Sequence, residues 1–392
     1  MKKNKKVVLA YSGGLDTSVA VRWLADKGYD VIAYMVDVGQ GSNFQKLKKR
    51  ALSAGASKAI VHDLKDEFVT SFVFQSLKAD AVYESKYLLT TALSRPLIAK
   101  GLVDVAKKEN ASAVAHGCTG KGNDQVRFEV TITSLAPHLE IIAPLREWNM
   151  FSRDEEIEYA MEKNIDIDIT KKSPYSLDQN IGGISIECGV LEDPWNEPPM
   201  DAYKMTVDPK KAPNRPTYVE LEFKNGVPVK INNKKYNPVS LIEKLNKIGG
   251  RNAIGRTDLV ENRLVGIKSR EIYEAPGAWI LYEAHKALEA LVLDRELMHF
   301  KESVSLKYAE LIYYGLWFTP LKKALDGFIG KTQKKVTGIV RVKLLKGSVT
   351  IVGRKSLYSL YKKEMATYDA GDQFDRNIAE GFIKVWGMPY KK

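Results

Sequence analysis

One stretch near the start of the chain limits its possible folds more than any other. The apolar run Val7-Val8-Leu9-Ala10 reads as a buried strand. It passes through Tyr11-Ser12-Gly13-Gly14 straight into a helical pattern opening at Leu15-Asp16-Thr17-Ser18. Strand, glycine turn and helix start, in that order, are what a phosphate-binding turn requires. Glycines let the backbone approach an anion and take φ values that other residues resist. The unpaired N–H groups at the helix start point at phosphate oxygens. Ser12, Thr17 and Ser18 add hydroxyl donors. Asp16 cannot itself attract phosphate, so its place is on a Mg2+ ion. A Gly-Gly turn capped by Ser and Asp is the alternative. No G-x-x-x-x-G-K-[ST] pattern is present, so this is not a Walker loop.

The rest of the first 168 residues continues that grammar. Val31–Val36, Ala59–Val61, Ala113–Ala115 and Ile141–Ala143 read as further buried strands separated by helical patterns, as in a parallel α/β sheet. One helix starts near Thr17 and ends at Gly28 in the C-cap position. Another starts at Ser152 with Glu155 three residues on, a capping box. Residues 171–216 hold Pro174, Pro194, Pro198, Pro199, Pro209, Pro213 and Pro216 and read as a long irregular segment serving a site or junction. The grammar then changes. Tyr218–Phe223 alternates, Asn225-Gly226 signals a hairpin and Val227–Ile231 returns. Residues 278–298 read as one helix, and Val340–Leu344 pairs with Val349–Val352 through Lys346-Gly347. In the tail, Phe374, Ile378, Phe382 and Trp386 form one apolar helical stripe that needs covering, by its own domain or by another subunit.

Composition narrows the class. The 392 residues are 44% hydrophobic and 28% charged, values of a folded chain rather than a disordered one. No apolar run reaches the roughly 18–20 residues of a membrane span. The charged Met1–Lys6 start meets too short an apolar stretch for a signal peptide. Two cysteines, Cys118 and Cys188, make no disulfide framework, and the five histidines have no metal-ligand spacing. The expected compartment is the cytosol. A net charge of +12 suits nucleic acid or anionic small molecules, and its scattered lysines do not decide between them.

Ser12-Gly13-Gly14-Leu15-Asp16-Thr17-Ser18 resembles the PP-loop of enzymes that split ATP into AMP and pyrophosphate. The superfamily includes GMP, asparagine and NAD synthetases, tRNA thiolases and argininosuccinate synthases. A second run narrows the acceptor. Ala115-His116-Gly117-Cys118-Thr119-Gly120-Lys121-Gly122-Asn123-Asp124-Gln125-Val126-Arg127-Phe128-Glu129 follows an apolar stretch, hence lies at a strand's carboxyl end, where open α/β sheets bind ligands. Asp124 can hold an ammonium, Thr119 and Asn123 a carboxylate, and Arg127 offers a planar fork of donors.

This run resembles argininosuccinate synthase. So do Tyr87-Leu88-Leu89, Arg95–Ala99, Ser173–Ser176, Asp178–Asn180, Ser185-Ile186-Glu187, Asp258–Arg270 and Tyr273–Gly277, which come in the family's order. The resemblance implies an α/β fold: a nucleotide-binding domain over 1–168, an α+β synthetase domain over 169–365, and a C-terminal arm over 366–392 that joins a homotetramer. It implies ATP-dependent ligation of citrulline and aspartate through a citrullyl adenylate, with small-molecule partners only, and no nucleic acid or membrane. ATP would lie on Ala10 through Ser18, Val36 and Gly117, with Mg2+. Aspartate would lie on Thr119, Asn123 and Asp124. Citrulline would lie on Tyr87, Ala92, Asn123, Arg127, Ser176, Ser185, Glu261 and Tyr273. Asp16, Asp124 and Arg127 would carry the catalysis, Asp124 conceivably as a base.

Three departures from the family pattern stand out. Ala92 replaces a serine, with Thr90 and Thr91 beside it. Gly41-Ser42-Asn43-Phe44 replaces an acidic pair. Ile181-Gly182-Gly183-Ile184 replaces a tryptophan and a basic residue. They lead us to expect a looser pocket wall between Ser176 and Ser185, and weaker citrulline binding. Two rival readings remain at this point: tRNA thiolation using Cys118 and Cys188, and a nucleotide-binding scaffold without activity.

Overall fold

The structure, a computed structural model, describes residues 5–166 and 174–391. Lys2 and Lys3, Ser173 and the boundary expected at 168/169 lie outside the described residues.

Strands β1 (Lys6–Ala10), β2 (Asp30–Asp37), β3 (Lys58–Asp63), β4 (Ala113–His116) and β5 (Glu140–Ile142) form a parallel sheet in the order β3-β2-β1-β4-β5. The apolar runs predicted as strands are these strands. Val7, Val8 and Leu9 are wholly buried because helices cover both faces. On one side α1 (Leu15–Asp26) packs on Val7 and Leu9; following α2 (Phe44–Ser53), α3 (Ser94–Glu109) packs on Val8 from the other. α4 (Asp124–Leu135) follows β4, and α5 (Arg153–Glu162) carries the expected Ser152/Glu155 capping box. Gly28, at φ +84°, stands just past the end of α1. The strand order reverses between β1 and β4, so the loops after both open into one crevice.

The proline-rich segment is more regular than expected. β6 (Ser176–Asn180) and β7 (Gly183–Glu187) form a hairpin within it. Ile184 and Ile186 supply the reason, burying themselves against Tyr175, Leu191 and Ala202. β8 (Thr217–Lys224) and β9 (Val227–Ile231) make the predicted hairpin, with Asn225 and Gly226 both at positive φ. β10 (Lys234–Lys235), α6 (Pro238–Arg251), β11 (Arg256–Asn262) and β12 (Lys268–Glu274) follow. The helix expected over 278–298 is two helices, α7 (Pro276–Val292) and α8 (Arg295–Tyr313). Leu293 is extended, and the Asp294 carboxylate accepts from the Leu297 N–H, capping a new start. β13 (Gly338–Leu345) and β14 (Ser348–Lys355) complete an antiparallel sheet β10-β9-β8-β13-β14, while a second reads β11-β12-β7-β6. In the tail, α9 (Arg376–Trp386) exposes Ile378, Phe382, Ile383 and Trp386 to solvent, and Phe374 stands just ahead of it. Its own chain does not cover the stripe among the described residues.

The β6–β7 turn fastens the two halves together. Ile181 N–H donates to the Val38 carbonyl (2.9 Å), just past β2. Asn180 Nδ2 donates to the Thr90 carbonyl (2.9 Å), and Asn246 Nδ2 on α6 to the Ile181 carbonyl (2.7 Å). This corrects the expectation of a loose wall: the turn is buried and lies outside the cavity lining. Gly183 is there for close approach, since a Cβ would meet the Glu274 carbonyl oxygen at 2.5 Å and Thr90 Oγ1 at 3.0 Å. Gly183→Ala is therefore expected to lower stability by about 1–3 kcal/mol, as overpacking does, read as a lower denaturant midpoint.

Candidate active site

The crevice holds a cavity of about 670 Å³, lined from the parallel sheet below and the β11-β12-β7-β6 sheet above. Ala10, Tyr11, Ser12 and Thr17 enter it from the first turn, Val36 from β2, and Gly117, Cys118 and Thr119 from the loop after β4. Gly13, Gly14, Leu15, Asp16 and Ser18, also expected on ATP, belong to the same turn but not to the cavity lining. Gly13 takes φ +84°, and a Cβ there would strike Leu47 of α2 at 2.3 Å. Arg50 Nη1 donates to its carbonyl (2.8 Å). Ser18, fully buried, donates to the Gly14 carbonyl (2.8 Å) and meets the Tyr11 hydroxyl (3.0 Å), so its hydroxyl serves the loop rather than the cavity. Ser12 Oγ and Thr17 Oγ1 bond each other at 3.1 Å at the cavity edge.

Asp16 lies beside Glu156 of α5. Burial first, then the Asp16 charge, push Glu156 up to about 7, and Glu156 Oε2 is buried with no partner. The two carboxylates share a hydrogen bond and lie off the cavity lining; as hard oxygen donors they have the chemistry a divalent cation takes.

α4 begins at the residues expected to bind an amino acid. Asn123 is tied on both sides: Nδ2 donates to the Tyr313 hydroxyl (2.8 Å) and Oδ1 accepts from Leu264 N–H (2.8 Å). Asp124 sits between two guanidiniums, accepting from Arg127 Nη1 (2.9 Å) and Arg95 Nε (2.9 Å). Burial alone would raise this carboxyl, but Arg95 and Arg127 hold it well below the usual carboxylate range. A carboxylate held so far down is a weak proton acceptor. Arg127 is buried, donating through Nε to the Tyr313 carbonyl (2.9 Å) with its guanidinium over the Tyr313 ring.

The antiparallel sheet offers one face to the cavity. Alternate residues of β7 and β12 line it, Ser185 and Glu187, Glu271 and Tyr273, with Glu261 beyond, while the edge strand β6 contributes the consecutive run Ser176 to Gln179. Tyr87 stacks on Tyr273 (3.9 Å between ring centroids), and the Tyr273 hydroxyl donates to Glu261 (2.5 Å). Arg263 pairs with Glu187 (2.6 Å) and Glu271 (3.4 Å). The acids outnumber that cation, so this end of the pocket suits an ammonium.

Ala92 is the predicted contact that the structure takes out of the cavity. It is fully buried and off the lining, and its N–H donates to the Tyr87 hydroxyl (3.0 Å). Thr91 lines the cavity in its place, its hydroxyl 2.6 Å from that of Tyr87. Asn43, another departure, accepts from Lys46 N–H and caps α2. Sequence reasoning gave no role to Asp178, Glu187 or Glu271, which the period of two along β6, β7 and β12 would have placed beside Ser176, Ser185 and Tyr273. Tyr313 carries no such local signal.

The fold and site define an ATP-binding α/β enzyme whose nucleotide crevice shares one cavity with a wall built for amino acids. Residues 6–166 match the family described as the arginosuccinate synthase N-terminal HUP domain, and residues 175–392 the arginosuccinate synthase C-terminal domain. The argininosuccinate synthase of Halalkalibacterium halodurans is 58% identical over 99% of this chain and 94% of its own. That of Bacillus licheniformis is 58% identical over 100% and 97%, and that of Aquifex aeolicus 56% over 99% and 98%. The chain belongs to the argininosuccinate synthase family.

Burial, then the Glu261 and Glu187 charges, push Glu271 up to about 8, from an ordinary 4.5. Between those values the folded chain holds a proton that the unfolded chain has lost, so this group's contribution to stability falls as pH rises. Glu271→Gln keeps the neutral shape. Its unfolding midpoint is expected to fall less than that of the parent between pH 5 and pH 8.5.

Proposed function

We propose that the cavity seats ATP, citrulline and aspartate side by side, and that its residues divide among them as the family resemblance implies. The observation that supports this best is the single cavity: the glycine turn after β1, the Gly117–Asp124 loop and the serine, tyrosine and glutamate face of the antiparallel sheet all open into it. The enzyme ligates citrulline and aspartate at the expense of ATP. The ureido oxygen of citrulline attacks the α-phosphorus and pyrophosphate leaves. The aspartate amine then displaces AMP from the citrullyl adenylate. No covalent enzyme nucleophile is needed, and catalysis rests on positioning three substrates and neutralising phosphate charge.

In this reading ATP lies on Ala10 to Thr17 with Val36 and Gly117. Asp124 holds the aspartate ammonium beside Thr119 and Asn123. Tyr87, Arg127, Ser176, Ser185, Glu261 and Tyr273 hold citrulline, with Thr91 supplying the hydroxyl that Ala92 lacks. Asp16 and Glu156 would hold Mg2+, which neutralises phosphate charge when bound. The finer reading also places the enzyme in the cytoplasm and covers the stripe of α9 with neighbouring subunits of a homotetramer. It divides the chain at 168/169 and 365/366. No helix among the described residues is long and apolar enough to cross a membrane. Burial pushes the Cys118 thiol up, so it is no ready nucleophile for sulfur transfer.

Pyrophosphate release from Mg-ATP is expected to require citrulline, and argininosuccinate to appear only when aspartate is added. Cys118→Ala is expected to keep ligase activity within about twofold, while Arg127→Gln lowers it by about 10²-fold or more. Release without citrulline, or loss of ligation with Cys118 alone, would refute the assignment.

A further inference from the structure

Aspartate brings two carboxylates and one ammonium, yet the residues assigned to it above supply one acid, a hydroxyl and an amide. The amide of Asn123 already donates to Tyr313 and accepts from Leu264. Three arginines line the cavity. Arg263 is drawn into the acidic end by Glu187 and Glu271, and Arg127 is held by the Tyr313 carbonyl and Asp124. At the Asp124 end Arg95 is the cation that bridges the two walls of the cavity, since it pairs with Asp178 as well as with Asp124.

Arg95 projects from the first turn of α3. Its Nε donates to Asp124 (2.9 Å), its Nη2 to Asp178 on β6 (2.5 Å) and its Nη1 to Ser94 Oγ (3.0 Å). Nη2 also lies 2.9 Å from Asp124, so of the five N–H donors of a guanidinium one, on Nη1, is left for a ligand. Asp178 matters because it comes from the other side of the cavity. It draws the guanidinium away from a pure pairing with Asp124 and holds it across the gap. The side chain of Arg95 is only 16% exposed, so its fork is fixed before any ligand arrives.

We propose that Arg95, held in place by Asp178, is the specificity-determining cation that receives a carboxylate of the aspartate substrate. This rests on the assignment of Thr119, Asn123 and Asp124 to aspartate. Arg95 selects a dicarboxylic amino acid over its amide, and Asp178 acts through it as a positioning residue.

The two half-reactions separate this role from a structural one, because adenylation of citrulline needs no aspartate. In Arg95→Gln the KM for aspartate is expected to rise about 10- to 100-fold, the loss of a charge-assisted contact. Citrulline-dependent ATP–pyrophosphate exchange should fall no more than about threefold, which also shows that the variant folds. Arg95→Lys should recover part of the aspartate affinity, and Asp178→Asn should raise the aspartate KM by less than Arg95→Gln does. The preference for aspartate over asparagine, measured by competition, should narrow in Arg95→Gln. An unchanged aspartate KM, an exchange rate that falls in step with it, or a lysine variant no better than the glutamine one would each overturn the proposal. Absence of citrulline-dependent exchange in the parent enzyme would instead remove the underlying site assignment, and this inference with it.

Discussion

Tyr313 is the joint on which the site depends. Its hydroxyl donates to Glu261 and accepts from Asn123 Nδ2, its carbonyl accepts from Arg127, and its ring stacks on Tyr83 with centroids 3.7 Å apart. Three parts of the chain meet there: the start of α4, the end of α8 and the edge strand β11. Two residues on, Gly315 takes φ +75° where a Cβ would lie 2.6 Å from Arg127 Cα, so the end of α8 presses directly on the backbone of the arginine it orients. A phenol between a carboxylate and an amide is fully satisfied only when all three stand in place. Satisfied buried networks of this kind fix one arrangement, since each unmade bond costs a buried polar group its partner.

This also explains which parts of the fold and site can be read from the sequence. The parallel sheet was legible because its strands are buried on both faces and so are continuous apolar runs, as at Val7–Ala10 and Val31–Val36. The phosphate turn was legible because its requirement is local: glycine at Gly13, where the backbone turns left-handed against Leu47. The β6–β7 hairpin was not. Its short strands carry Ser176, Asp178, Ser185 and Glu187 toward the site, so polar residues appear where a half-buried strand would normally show a solvent face. Proline content around it then pointed the other way. The break between α7 and α8 rests on one cap, Asp294, inside an otherwise continuous helical pattern. Tyr313 was illegible for a deeper reason: its partners are separated from it by at least 52 residues of chain.

Charge in the cavity is segregated, and the segregation follows strand by strand. At one end Asp124 and Asp178 alternate with Arg95 and Arg127; the two guanidiniums hold Asp124 well below the usual carboxylate range, while burial pushes Asp178 up. At the other, Glu187, Glu261 and Glu271 share Arg263 and two tyrosine hydroxyls. There the surplus of acid holds a proton until a cation replaces it. A surface whose sign alternates in this way suits the two zwitterions proposed to bind there. Such a surface aligns them by charge before close contacts form.

Of the departures from the family pattern, Ala92 and Gly182-Gly183 sit one layer behind this surface, whereas Ser42 and Phe44 line the cavity itself. Ala92 has given up a hydroxyl, yet its N–H holds the Tyr87 hydroxyl that Thr91 also holds, so Tyr87 is fixed by the same short segment through different atoms. Gly182 and Gly183 have given up side chains, yet the space those would occupy is filled by the Thr90 side chain and the backbone at Glu274. Thr90 and Thr91 therefore link the two changes: one closes against the hairpin turn, the other reaches the cavity. The packing on this side of the segment is tight because Thr90 lies directly against both glycines. The cavity wall at this point is thus built of the Thr91 hydroxyl and the buried Tyr87 phenol, both supplied by one short segment.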